Sequence, residues 1–327
     1  MTSTGYSPAA PAPAPAPDEL RRRGVRLGDV LFRGVSLLAA LAAAALLGLI
    51  AWKVLDLAWP AIKEFGLSFV WTEAWNPVTD SYGALAFVYG TVMTSLIALV
   101  LATPLSIAIA LFLTEISPRR LAGPIATMVE LLAAIPSVVL GLWGILVFGP
   151  WVRDHLEPWL KDVFGFLPIF SGEPSQAGLL PAALVLTIMI VPITSALCRE
   201  LFVRVPKDLV DASIAIGSTR WEAIRKVLLP YAAPGIAAAI LLGLGRAFGE
   251  AIAVNQVIGG GNAIPSSWFE PADTLGSRIA AQYQGATSVL QAGSILYLAA
   301  ILMVISLVTN VVAQLVVARF ERARRAY

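Results

Sequence analysis

Of the chain's 327 residues, 58% are hydrophobic and only 13% are charged, and the mean hydropathy is +0.79. Soluble domains are roughly half apolar and a quarter charged, so this composition excludes an ordinary soluble protein and points to an integral membrane one. A single cysteine, Cys198, and a single histidine, His155, exclude an intrachain disulfide and a Cys/His zinc cluster, while the formal net charge of +2 says little until its distribution is read.

The opening "SPAAPAPAPAPDELRRRG" is a Pro/Ala tract that cannot bury a core, and a disordered cytoplasmic tail is expected over residues 1–30. The first apolar run begins near Val35 after five arginines, which fits an uncleaved first span and not a signal core. About 20 apolar residues cross the hydrocarbon. Six stretches qualify, at 34–55, 87–113, 124–149, 178–199, 233–258 and 291–317. An all-α integral membrane protein is expected, because a backbone in lipid must satisfy its own hydrogen bonds. The connections after spans one, three and five carry Lys53, Lys63, Arg153, Lys161 and Arg278, a total of five basic residues, whereas the termini and the two other connections carry seventeen. The positive-inside rule then places both termini in the cytoplasm. The outer connections are rich in tryptophan, suited either to the headgroup region or to contact with an extracytoplasmic partner. His155 reads there as an interfacial residue, and Cys198, at the inner end of span four, as a small apolar filler.

Between spans four and five runs "RELFVRVPKDLVDASIAIGSTRWEAIRKVLLPYAAPG". Pro206 can open a short helix, with Asp208 at its positive end and Gly217 closing it in a left-handed cap. Thr219 and Glu222 have capping-box spacing for a second helix, which Pro230 is expected to end. Trp221, Ile224 and Leu228 form an apolar stripe on that second helix. The pair either caps its own bundle or docks a cytoplasmic partner. Asp211, Ala212, Ser213, Gly217, Val227, Leu229 and Pro230 resemble the "EAA" loop of ABC importer permeases, with mild departures at 211, 213 and 227. That resemblance implies that the loop, at about 200–232, seats on a separate ATPase subunit and couples its motion to the membrane.

Span five holds "GRAFGEAIAV", with Arg246 and Glu250 four positions apart. A charge at bilayer depth costs about 2.5–3.5 kcal/mol on insertion scales, so the two are expected to face the bundle interior, a wet cavity or each other. On a continuous helix they share a face and can pair. Gly245 and Gly249 have the GxxxG spacing that admits a close helix. Glu130 adds a third ionisable group in span three, six residues before Pro136. The three mark either a translocation pathway or a packing pair of little net stability. The arginine fork would suit an oxyanion.

"LLAAIPSVVLGLWG" (131–144) and "GRAFGEAIAVNQVIGG" (245–260) resemble the membrane subunits of phosphate-specific ABC importers, PstC type, and the likeness extends from about residue 30 onward. It implies a type I importer permease over residues 31–327 that moves inorganic phosphate across a bacterial inner membrane, with Arg246 and Glu250 linked to phosphate movement. It further implies a heterodimer with a PstA-like permease, two ATP-binding subunits docked on the 200–232 loop, an extracytoplasmic phosphate-binding protein and surrounding lipid, without nucleic acid. Neither a GxxxxGK[ST] loop nor HExxH is present, so no cofactor or metal is expected on this chain and ATP with Mg belongs to the partner ATPase. The residues alone leave sulfate, molybdate or phosphonate open as cargo. They also leave open a membrane enzyme or channel, although no nucleophile or carboxylate pair has catalytic spacing.

Overall fold

The computed structural model describes residues 27–325. The Pro/Ala tail lies outside the described residues as far as residue 26, and residues 27–30 already belong to helix α1, Leu27–Phe65. The remaining helices are α2 (Leu85–Ile116), α3 (Arg119–Ala134), α4 (Ser137–Phe164), α5 (Leu179–Val203), α6 (Lys207–Ala215), α7 (Arg220–Gly249), α8 (Ile252–Val257), α9 (Leu275–Gln282) and α10 (Val289–Arg325). Six of these, α1, α2, α4, α5, α7 and α10, are long and apolar enough to cross a membrane. The chain divides between Lys53 and Val54 into two units. The first contains the N-terminal stretch of α1, whose large apolar side chains from Val30 to Trp52 are exposed. The second contains everything described below.

Four turns in these helices widen from α to π geometry, at Phe112–Ile116, Gly144–Phe148, Val152–Leu156 and Ile224–Leu228. Each lies two residues before a proline: Pro118, Pro150, Pro158 and Pro230. A proline ring clashes with the carbonyl four residues back and supplies no N–H; at Pro150, Pro158 and Pro230 widening that turn relieves the conflict without ending the helix, whereas before Pro118 the helix ends at Ile116 and Ser117 is extended. Pro230 therefore does not terminate the second hairpin helix as expected; α7 runs unbroken from Arg220 to Gly249. Pro150 and Pro158 likewise let α4 continue to Phe164 through a segment that reads as an outer loop.

Pro136 behaves differently. Ile135 is extended (ψ 127°) and Pro136 starts a new helix, so α3 is a separate element and not the first half of span three. The third span is accordingly Ser137–Phe164, and Glu130 lies outside it. Span five also ends earlier than expected. Its helix stops at Gly249, Glu250 is extended (ψ 109°), and α8 begins at Ile252.

The centre of the bundle is the α2–α5 seam, where Ala98, Ala102, Leu186 and Ile190 pack together with Ala247 of α7. Small side chains let these helices approach closely, the usual means of association in lipid. At one end of the bundle, Leu111, Cys198, Phe202, Val205, Ile224 and Leu228 seat the start of α7. At the other, a short antiparallel hairpin of β1 (Trp75–Asn76) and β2 (Ser81–Tyr82) contributes to an aromatic cluster. Phe69 stacks on Tyr297 at 4.4 Å, and Trp75 meets Phe87 edge-on at 5.0 Å.

Candidate translocation path and coupling hairpin

The hairpin forms as its caps dictate. Gly217 has φ +99°, a conformation that L side chains rarely adopt. Its N–H donates to Ile214 O (2.9 Å) and that of Ser218 to Ser213 O (3.2 Å), the paired bonds of a Schellman motif closing α6. Thr219 Oγ1 then accepts from Glu222 N (3.3 Å) while Glu222 Oε2 accepts from Thr219 N (2.9 Å), a complete capping box opening α7. Ile224 and Leu228 of the expected stripe are buried against α5, but Trp221 is 62% exposed. Helix α6 buries no residue at all. Asp211, Ala212 and Gly217 are exposed, Ser213 is half-buried, and Leu209, Ile214, Ile216 and Trp221 present apolar surface beside them. Leu229 and Pro230 lie inside α7 and pass the hairpin directly into the span.

Arg246 sits in the last turn of α7, exposed, with no ion pair or hydrogen bond among the described residues. The expected pairing with Glu250 is not made. Because the helix ends at Gly249, Glu250 no longer lies a turn above Arg246; its Oε1 accepts from Ala253 N (3.4 Å) and caps α8 instead. A carboxylate is favourable at such a helix start. Nor is the close approach expected at Gly245 and Gly249 made among the described residues, since a methyl group on either would meet nothing within 4 Å. Gly245, Arg246 and Gly249 thus form an open face.

Glu130 pairs elsewhere. Its Oε1 lies 2.6 Å from Arg199 Nη2 on α5, tying α3 to that span over a small void lined by Ser195 and Val129. Arg199 lies near the hairpin end of α5, whereas Ala247, the neighbour of Arg246, packs against Leu186 and Ile190, about two turns or more farther along α5. Glu130 pairs with Arg199 and Glu250 with Ala253 N, so the three charged residues make no contact with one another among the described residues. Two grooves flank α7 instead. One, of about 410 Å³, opens between α7 and α10 and is lined by Ala238, Leu241, Leu242, Asn310 and Gln314 among others. The other, of about 260 Å³, opens between α5 and α7 and shares Ala238 and Leu242. Neither includes Arg246, which lies one helical turn beyond Leu242.

One polar site was missed. Arg278, read from the sequence as an outer-connection charge, is only 4% exposed, as is Asp273. Its Nε lies 2.8 Å from Asp273 Oδ2, close enough for an ion pair although its N–H does not meet hydrogen-bond geometry. Nη2 donates to Gly261 O (3.0 Å) and Asn262 Oδ1 (2.5 Å), and the guanidinium stands 4.6 Å from the Phe87 ring centre. Burial pushes the Asp273 carboxyl above its usual range, opposed by Arg278; burial likewise lowers Arg278, opposed by Asp273. Ser277 Oγ donates to Asp273 Oδ1, and Thr274 caps α9. Leu275 N donates to Thr91 Oγ1 on α2 (2.9 Å), and Gly90 leaves room for the Asp273 carbonyl, which a methyl group there would meet at 1.9 Å. The start of α9 is thereby held beside the break at Glu250 and Ala251, which lie 3.3–3.5 Å from a methyl placed on Gly276. The visible signal was the cap spacing of "DTLGS"; nothing in it announced a buried pair.

Six spans, an exposed capped hairpin at the start of one of them and an open arginine near its far end define a membrane permease. The chain belongs to the family described as binding-protein-dependent transport system inner membrane component, whose sequence pattern it matches over residues 102–323. It is 40% identical over 308 residues to the phosphate transport system permease protein PstC of Pasteurella multocida (strain Pm70), covering 93% of this chain and 96% of that one. It is also 40% identical over 317 residues to PstC of Mesorhizobium japonicum (strain LMG 29417 / CECT 9101 / MAFF 303099), covering 96% and 97%. Among solved structures, a bacterial alginate ABC transporter in complex with its alginate-bound periplasmic protein has a similar fold, with TM-score 0.58 and 18% identity over 89% of this chain and 98% of that one. The architecture is that of a type I ABC importer permease.

Proposed function

We propose that this chain is the PstC-type half of the translocation pore of an ATP-driven phosphate importer. The observation that carries the reading is the position of Arg246: an exposed guanidinium without a counterion, on the same unbroken helix that begins at the coupling hairpin. Near full-length similarity to PstC proteins supports phosphate as the cargo. With Glu250 turned to cap α8, the donors of Arg246 are left to an incoming oxyanion, for which the planar fork is well matched. A PstA-like permease would close the open face at Gly245 and Gly249. Two ATP-binding subunits, holding ATP with Mg, would dock on the exposed surface of α6 and Trp221, and an extracytoplasmic phosphate-binding protein would deliver ligand at the opposite end. In this reading both termini are cytoplasmic, on the side of the hairpin.

The test is ATP-dependent uptake of labelled phosphate into vesicles holding the assembled transporter, comparing wild type with Arg246→Gln at equal recovered complex. A charge-assisted hydrogen bond contributes about 1.5–3 kcal/mol, so uptake should fall roughly 10- to 100-fold. Undiminished uptake by Arg246→Gln would remove the arginine from the path. Excess unlabelled phosphate should abolish the signal and sulfate should not; the reverse would reassign the cargo.

A further inference from the structure

Helix α10 reads as an unbroken apolar span, yet it carries two carboxamides four residues apart, Asn310 and Gln314. Four residues is nearly one turn, so both lie on one face. Both are exposed, and neither has a hydrogen-bond partner among the described residues. An amide left unpaired in hydrocarbon is costly, and polar groups within spans commonly mark pathways. The face they share lines the groove of about 410 Å³ whose opposite wall is Ala238 and Leu242 of α7. Leu242 is one turn from Arg246, about 6 Å along the same helix. The groove therefore begins next to the arginine, on the side of the coupling hairpin.

We propose that Asn310 and Gln314 form a second, uncharged station for the transported oxyanion, between Arg246 and the hairpin end of α7. The inference rests on the reading of Arg246 as an anion site. Each carboxamide offers two N–H donors to phosphate oxygens and adds no charge that would trap the ion. A pathway needs such steps, favourable enough to enter and weak enough to leave. The groove exceeds the roughly 30 Å³ share of one water by an order of magnitude, so a partly hydrated anion fits. Among the described residues its walls carry no carboxylate: Glu200 lies in the groove on the other flank of α7, 3.5 Å from Arg204.

The experiment places Asn310→Leu, Gln314→Leu and the double variant in the full transporter, beside wild type and Arg246→Gln, and measures labelled-phosphate uptake, ATP hydrolysis and recovered complex. The double leucine variant should lower the maximal uptake rate about tenfold, the loss expected for hydrogen bonds to a charged ligand, while half-saturation, ATP hydrolysis and complex recovery stay at wild-type values. Serine at both positions, which leaves room for water, should restore most of the rate. Wild-type uptake by the double leucine variant would mean that the amides face lipid, and loss of the complex would mean that they bind the second permease; either overturns the inference. If Arg246→Gln loses uptake while the double leucine variant keeps it, only the second station fails. If Arg246→Gln keeps uptake, the anion-path reading fails and the station with it.

Discussion

Arg278 and Arg246 place the same side chain in opposite circumstances. Arg278 is enclosed by a carboxylate, a backbone carbonyl, an amide oxygen and two aromatic rings, and 4% of it reaches the surface. Arg246 is exposed with none of these among the described residues. The difference arises from backbone, not composition. At Arg278 the cap at Thr274 turns α9 so that Asp273 folds back over it. At Arg246 the helix stops three residues later and takes the nearest carboxylate away. A closed arginine holds parts of a fold together, whereas an open one is available to a ligand. Arg199 falls between the two, paired with Glu130 but with a third of its side chain accessible.

The contrast makes graded predictions. The largest effect on stability should come from Arg278→Gln, which leaves Asp273 buried and unpaired at a cost of about 3–5 kcal/mol. The folded chain recovered in detergent should drop sharply and Asp273→Asn/Arg278→Gln should regain part of it, whereas Arg246→Gln leaves recovery unchanged. Normal recovery of Arg278→Gln would erase the distinction between the two arginines. A smaller loss, about 1–3 kcal/mol of overpacking, is expected for Gly90→Ala, because its methyl group would displace the Asp273 carbonyl and loosen the enclosure from the α2 side. Thermal unfolding of the purified complex reads this directly, and an unshifted midpoint would show that the α2–α9 contact yields easily. The smallest is Glu130→Gln. Half-exposed pairs contribute about 0–1 kcal/mol, so the same midpoint should barely move, and a large shift would put Arg199 in the class of Arg278.

Much of this was legible in the sequence where local rules act alone. Six apolar stretches became six spans, and Gly217, Thr219 and Glu222 closed and opened the hairpin helices as their chemistry requires. Prolines were legible only in part. Pro136 breaks its helix, but Pro230, Pro150 and Pro158 are absorbed by π turns, and residue identity does not reveal which response the surroundings permit. The break at Glu250 has no proline at all; it coincides with the seating of α9 against Ala251, a contact between segments distant in sequence. The same holds for the Asp273–Arg278 pair and for Asn310 and Gln314, whose meaning depends on which helix lies opposite. The pairing of Glu130 with Arg199, and its separation from Arg246, could be read only once α5 was in place.

The continuity of α7 across Pro230 has a mechanical consequence. From Arg220 to Arg246 the helix measures about 40 Å at 1.5 Å per residue. Tilting a lever of that length by about 5° sweeps its far end through about 3 Å, roughly one hydrogen-bond length. If Arg246 binds the transported anion as proposed, a displacement at the hairpin too small to disturb its caps would be enough to make or break that contact. On that reading, leverage along one continuous helix would link this arginine to what happens at the other end.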